Sequence, residues 1–212
     1  MTNGKSAELT SIQPLFASPL LSFSLPDADA LNVGLLAEIA ARRAAEPSIH
    51  RSNRGGWHSA GDLFKRTEPA VGALARQITD AVRTATQTVQ PAADLNVLGL
   101  EAEGWVNVNP PGALNAPHDH PGWLWSGCYY VQMPAACEES TPTDGCIEFI
   151  NSRTNLRAGA SIDIPFMRSQ VVLQPIAGQM LLFPSHLLHW VCPHAGSEDR
   201  VSVAFNARWV RG

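Results

Sequence analysis

Gly178-Gln179-Met180-Leu181-Leu182-Phe183-Pro184-Ser185-His186-Leu187-Leu188-His189-Trp190-Val191-Cys192-Pro193 reads as an apolar strand, a turn, and a histidine that opens the next strand. Working outward from it, the chain keeps the same texture. Eleven residues beyond His189, Arg200-Val201-Ser202-Val203-Ala204-Phe205-Asn206 begins a last strand, with Arg200, Ser202 and Ala204 on one face. On the N-terminal side, residues 170–175, 145–150 and 123–133 are strand-like, the last carrying the adjacent Tyr129 and Tyr130, which point to opposite faces. Residues 104–109 alternate: Trp105, Asn107 and Asn109 share one face, Val106 and Val108 the other. Residues 95–100 read as a further strand segment. Turn signals such as Pro110-Pro111-Gly112 and Ile176-Ala177-Gly178 separate these runs.

The N-terminal part differs. Residues 12–24, interrupted by Pro14 and Pro19, suit a broken strand near a sheet edge. Leu31, Leu35, Leu36 and Ile39 recur at helical spacing and predict a helix over about 28–45, with Asp27 or Asp29 as its cap. Val71, Leu74, Ile78, Val82 and Ala85 predict a second helix over about 69–90, ended by Pro91. Between the helices, residues 46–62 read as a loop with a Gly55-Gly56 turn beside Trp57 and His58. It is either a plain surface loop or a lid over a site. Two helices followed by many short strands predict a mainly β fold, a sandwich or barrel with the helices packed outside. No repeat or linker divides the chain. The expectation is a single domain over 1–212, with an N-terminal strand and helices over 1–94 and a β core over 95–212.

Composition narrows the function classes. With 212 residues the chain can bury a core without metal or disulfide staples. Charged residues make up 16% and the formal net charge is −4 with no basic stripe, so a nucleic-acid partner is not expected. No signal peptide or membrane-length apolar run is evident. Cys128, Cys137, Cys146 and Cys192 form no C-x-x-C pair and read as small buried hydrophobes. A cytoplasmic location with reduced thiols is the simplest expectation.

The chemistry concentrates at His118-Asp119-His120, in the loop-like run Asn115-Ala116-Pro117-His118-Asp119-His120-Pro121-Gly122. In extended backbone, histidines two apart share a face, and the prolines stiffen their presentation. Two imidazoles aimed at one point suit Fe, Zn, Ni or Cu. An isolated pair of this kind is more often a surface feature. Arg200 sits inside an apolar strand, where burying an unpaired charge is costly. It needs an internal acid, a route to solvent, or a bound carboxylate that its planar fork would grip. Asn107, Asn109 and Asn206 lie on half-buried strands and need polar partners. Tyr130 or Tyr129 enters the cavity; Trp105, Trp123, Trp125 and Trp190 fill core. His186 and His194 read as turn residues, the latter at the surface. His50 has no context, and His58 could reach a substrate through the glycine loop.

The order and spacing of these pieces resemble the Fe(II)/2-oxoglutarate-dependent oxygenases, and more narrowly a small bacterial and phage family within them. The pieces are Trp105-Val106-Asn107, His118-Asp119-His120, Ser126-Gly127-Cys128-Tyr129-Tyr130-Val131, Phe183-Pro184-Ser185 with His189, and residues 200–206. The resemblance covers about residues 95–209 well. It implies a double-stranded β-helix (a cupin-like jelly roll), a 2-His-1-carboxylate iron site, and 2-oxoglutarate held by an arginine near the last strand. His118 and His189 would be metal ligands, and Arg200 with Ser202 the carboxylate clamp. Tyr130, Asn107 and Asn206 are further candidates for contacting 2-oxoglutarate or substrate.

His120 departs from the family pattern, standing where a carboxylate is usual. Either the site has three histidines, or Asp119 swings in, or the metal site is altered. The three-histidine reading is preferred, with Asp119 and, more remotely, Glu148 in reserve. The expected activity is hydroxylation of an unidentified small-molecule or peptide substrate, using Fe(II), 2-oxoglutarate and O2. The alternatives are a cupin-like three-histidine dioxygenase that does not use 2-oxoglutarate, and a non-catalytic metal- or ligand-binding barrel. A homodimer is the default oligomer.

Overall fold

In the computed structural model, residues 8–135, 137, 140–153, 164 and 167–211 are described. Residues 152–166, whose sequence predicts an irregular loop, lie largely outside them. Among these residues there are eleven strands and two α-helices: β1 (Leu21–Ser24), α1 (Ala28–Ala45), β2 (Asn53–Arg54), β3 (Trp57–His58), α2 (Pro69–Val89), β4 (Leu98–Asn109), β5 (Leu114–His118), β6 (Trp125–Gln132), β7 (Ile147–Ile150), β8 (Gln170–Leu173), β9 (Gln179–Pro184), β10 (Leu188–Val191) and β11 (Arg200–Arg211). They form two antiparallel sheets. The major sheet has the order β1-β9-β6-β11-β4-β3 and the minor sheet β2-β5-β10-β7-β8. This is the mainly β jelly roll with flanking helices that the strand pattern predicts.

The main apolar core lies between the helices and the major sheet. Leu35 and Ile39 of α1, and Val71, Leu74, Ile78 and Val82 of α2, pack on the outward face of β4, β6, β9 and β11. That face is apolar because odd and even positions separate: Val201, Val203 and Phe205 point to the helices, while Arg200, Ser202 and Asn206 point between the sheets. Two polar bonds fix the helices to it. The Tyr129 hydroxyl donates to Asn32 Oδ1 of α1 (2.7 Å), and the Trp125 indole donates to Thr86 Oγ1 of α2 (2.9 Å). Glu38 of α1 accepts from the Ala70 and Val71 N–H groups, each at 2.9 Å, and so caps the start of α2. Asp27 stands at the N-cap of α1 in a left-handed conformation, and its side chain makes no capping bond.

Gly127 shows how closely β6 and β11 approach. A Cβ there would lie 2.2 Å from the Phe205 ring and 2.7 Å from the Leu181 carbonyl. Gly127→Ala should therefore cost about 1–3 kcal/mol of stability by overpacking. Thermal unfolding of the two proteins would measure it, and an unchanged midpoint would contradict the packing described.

Three expectations are corrected. Residues 95–97 form a 3-10 turn rather than strand, held where the Asn96 N–H donates to Asp94 Oδ1 (3.1 Å), and the two expected strand segments merge into the single β4. The 46–62 loop contains β2 and β3, which pair with β5 and β4. Of the run that looked like a loop around His118, the first half, Asn115 to His118, belongs to strand β5, and Asp119 to Gly122 is not strand. Asn115 is opposite Val191 and His118 opposite His189, so β5 carries one extra residue at a bulge. Pro117 falls inside that bulge, where the ladder does not need its missing N–H.

Candidate active site

The space between the sheets is polar. Its apolar part is a small cluster of Tyr130, Ile147, Phe149, Leu181 and Phe183. The rest is lined from two sides. The major sheet contributes rows of side chains in register: Asn107 and Tyr130 flank Ser202, Trp105 and Cys128 flank Ala204, and Glu103 and Ser126 flank Asn206. The minor sheet contributes histidines.

His118 and His189 are direct cross-strand partners on β5 and β10, with ring centroids 4.5 Å apart. His120 follows β5, its N–H donating to the Ser185 carbonyl (3.0 Å), and its ring lies 4.9 Å from that of His118 and 5.3 Å from that of His189. One nitrogen from each ring falls within 4.8 Å of the others, and among the described residues these three form the group able to hold a metal ion. The exposed Asp119 stands outside it. Glu148 alternates with the inward-facing Phe149 on β7 and also lies outside.

The orientations of the His118 and His189 rings favour coordination. His118 Nδ1 is 2.7 Å from the Ala116 carbonyl and His189 Nδ1 is 2.8 Å from the Leu187 carbonyl. A carbonyl only accepts, so each Nδ1 carries the proton and each Nε2 keeps its lone pair. His120 Nδ1 instead rests 3.3 Å from the Asn206 side-chain amide. Burial holds all three imidazoles neutral. It lowers His118, pushes His189 to about 4, and pushes His120 to about 3, with the neighbouring histidines adding to the effect on the last two. Three neutral nitrogens at one point match the donor set of a borderline divalent metal.

One cavity runs from this cluster to Arg200, with Asn107 and Ser202 in its wall. Arg200 is 1% exposed. Its Nε donates to the Gly145 carbonyl and its Nη1 to Ser202 Oγ, both at 3.1 Å, and its guanidinium lies 5.2 Å from the Tyr130 ring centroid. Its Nη2 has no partner, and neither does the buried Tyr130 hydroxyl. Among the described residues no carboxylate pairs with this buried cation. A buried guanidinium in the cavity wall with an unused donor, and a second unused donor on the tyrosine beside it, fits a carboxylate ligand. The Asn107 and Asn109 Oδ1 atoms are also buried without partners. Asn206 lies at the other end of β11's inward face, between His120, Glu103 and Ser126.

Some residues were misjudged or missed in the sequence. His194 is buried rather than superficial, with Nε2 donating to the Asn109 carbonyl (3.0 Å). His58 is buried and stacks nearly parallel on Trp105, with centroids 5.6 Å apart and planes at 13°. Trp105 is thus a cavity wall rather than core filler. Glu103 escaped notice because one acid in an alternating strand carries no distinguishing signal. His50 and His186 are exposed. All four cysteines are free. No helix among the described residues is long and apolar enough to cross a membrane.

Residues 103–206, which span strands β4 to β11, match the family model described as "Putative 2OG-Fe(II) oxygenase". No curated protein matches the sequence. Among solved structures, a prolyl-4-hydroxylase from Pseudomonas putida is 22% identical with a TM-score of 0.63, over 93% of this chain and 96% of that one. The viral collagen prolyl hydroxylase of Paramecium bursaria Chlorella virus-1, solved with 2-oxoglutarate, is 14% identical with a TM-score of 0.56, over 90% and 96%. The epimerase SnoN of nogalamycin biosynthesis, solved with Fe3+ and α-ketoglutarate, is 14% identical with a TM-score of 0.60, over 90% and 78%. With the family match lying on the strands that carry both the histidine cluster and Arg200, residues 103–206 of the chain belong to the Fe(II)/2-oxoglutarate-dependent oxygenase superfamily.

Proposed function

We propose that His118, His120 and His189 hold Fe(II), and that Arg200 and Tyr130 hold the far carboxylate of 2-oxoglutarate, for the hydroxylation of a substrate C–H bond. The observation that carries this reading is the single cavity joining three neutral imidazoles to a buried guanidinium with an unused donor. In this arrangement Ser202 and the Gly145 carbonyl take two of the guanidinium donors and aim the rest into the cavity. The Ala116 and Leu187 carbonyls fix two imidazole tautomers. Phe183 packs edge-on against His189, Phe149 packs edge-on against Phe183, and together they keep water from that side. Iron bound with 2-oxoglutarate and O2 supplies oxidative decarboxylation to succinate and CO2, coupled to oxidation of the substrate.

The three-histidine donor set also suits a metal dioxygenase that does not use 2-oxoglutarate. The unpaired Arg200 speaks for the co-substrate. Anaerobic addition of Fe(II) and 2-oxoglutarate should give a weak visible charge-transfer band, and admitting O2 should release succinate. Metal binding with neither band nor succinate would replace this reading with the second one.

A further inference from the structure

The deep cavity is committed to the co-substrate, so a substrate must reach the histidines from elsewhere. A second cleft of about 370 Å³ opens onto the same His118, His120 and Trp105. Its other walls come from the β2–β3 region and from β4. They include Arg51, His58, Ser59, Gly61 and Glu103.

Among the described residues Glu103 is the sole carboxylate lining this cleft, and it is half-buried. Its Oε1 accepts from Asn206 Nδ2 (3.0 Å), the same nitrogen that rests 3.3 Å from His120. Glu101, two residues earlier on the strand, pairs with Arg208 at 2.7 Å. Glu103 has no such cation among the described residues. A carboxylate that faces a cleft with no cation paired to it offers a cationic ligand a charge-assisted contact. Space is kept for that ligand: a Cβ at Gly61 would lie 4.0 Å from Glu103 Oε2, so a larger side chain there would fill the volume over the oxygen. Beside it Trp105, backed by the buried His58 ring stacked on it, gives the cleft an apolar wall that suits an alkyl stem. Arg51, exposed at the mouth, suits a negative or carbonyl-bearing trailing end.

Resting on the iron and 2-oxoglutarate reading above, we infer that the substrate carries an aliphatic ammonium or guanidinium group, which docks on Glu103 against Trp105 and lays its alkyl chain over the histidine cluster. This is the chemistry of a lysine or arginine side chain, either in the free amino acid or within a peptide.

The test uses the full chain loaded anaerobically with Fe(II) and 2-oxoglutarate. L-lysine, L-arginine, N-acetyl-lysine methylamide and L-norleucine are titrated by calorimetry, and succinate release is measured on adding O2. The basic compounds should bind and accelerate succinate release; norleucine should do neither. Preference for the free amino acids would identify a small-molecule substrate, and equal binding of the acetylated amide a peptide side chain. Glu103→Gln keeps the acceptor for Asn206 and should weaken lysine and arginine binding by about 10- to 100-fold, the loss expected on removing the charge from a charge-assisted contact. Gly61→Leu should block the same compounds sterically. Both variants should retain the visible band. Basic compounds that bind no better than norleucine, or that bind Glu103→Gln unchanged while the band persists, would overturn the inference and leave the metal and co-substrate reading standing. Absence of the band in the unmodified protein would remove that reading, and this one with it.

Discussion

His189→Ala protein should purify folded but without stoichiometric iron, and should release no succinate above background. His189 gives the cluster its cross-strand member: it stands opposite His118 across the two strands, and because its Nδ1–H is taken by the Leu187 carbonyl its Nε2 keeps a lone pair for a metal. Losing an outer hydrogen-bond partner of a metal ligand typically costs 10- to 100-fold in affinity or activity, roughly, and losing the ligand itself should cost more. The fold should survive, because the principal core lies on the far side of the major sheet. A parallel pair identifies the third donor. His120→Ala should lower iron affinity severely, whereas Asp119→Ala should leave it unchanged, since Asp119 is exposed and outside the cluster. Metal content after dialysis, with circular dichroism as the check on folding, measures all three. Iron lost from Asp119→Ala and retained by His120→Ala would reverse the assignment.

The helices and the last strands were readable because their signals are local. An apolar stripe at 3.6-residue spacing marks α1 and α2, and strict alternation marks the inward faces of β4 and β11. Parity also sorted Asn107 from Val108 and Ser202 from Val203 without knowledge of what lay opposite. What was lost depended on tertiary pairing. Pro117 and Pro121 argue for a loop by composition, yet the bulge between Asn115 and His118 absorbs Pro117 within a ladder. The two-residue strands β2 and β3 are too short to show any period. His194 reads as a surface turn because its neighbours are Pro193, Ala195 and Gly196, and its burial comes from Asn109, 85 residues away. Within the site, residue type exposed the histidines and Arg200. Glu103 and the His58–Trp105 stack appear only when β3 and β4 are placed side by side.

Arg200→Met should abolish saturable 2-oxoglutarate binding at ordinary concentrations while leaving iron bound. Removing one partner from a buried, hydrogen-bonded charge pair costs about 2–5 kcal/mol, roughly a 30- to several-thousand-fold rise in Kd. The sign of the accompanying stability change separates a ligand clamp from a structural arginine. In the ligand-free protein Arg200 is a fully buried cation with an unpartnered Nη2 and, among the described residues, no acid opposite it. Its compensation is two hydrogen bonds to neutral acceptors and the Tyr130 ring. Replacing such a charge by an apolar side chain of similar length is often neutral or stabilising. Ligand-free Arg200→Met should therefore melt at or above the unmodified protein's temperature. Saturating 2-oxoglutarate should raise the midpoint of the unmodified protein by linkage and leave that of the variant where it was. Were Arg200 there to hold the sheets together, the variant would melt well below the parent without ligand, and both would respond to 2-oxoglutarate alike. The two outcomes differ in direction in both measurements, so one pair of melting curves decides between them.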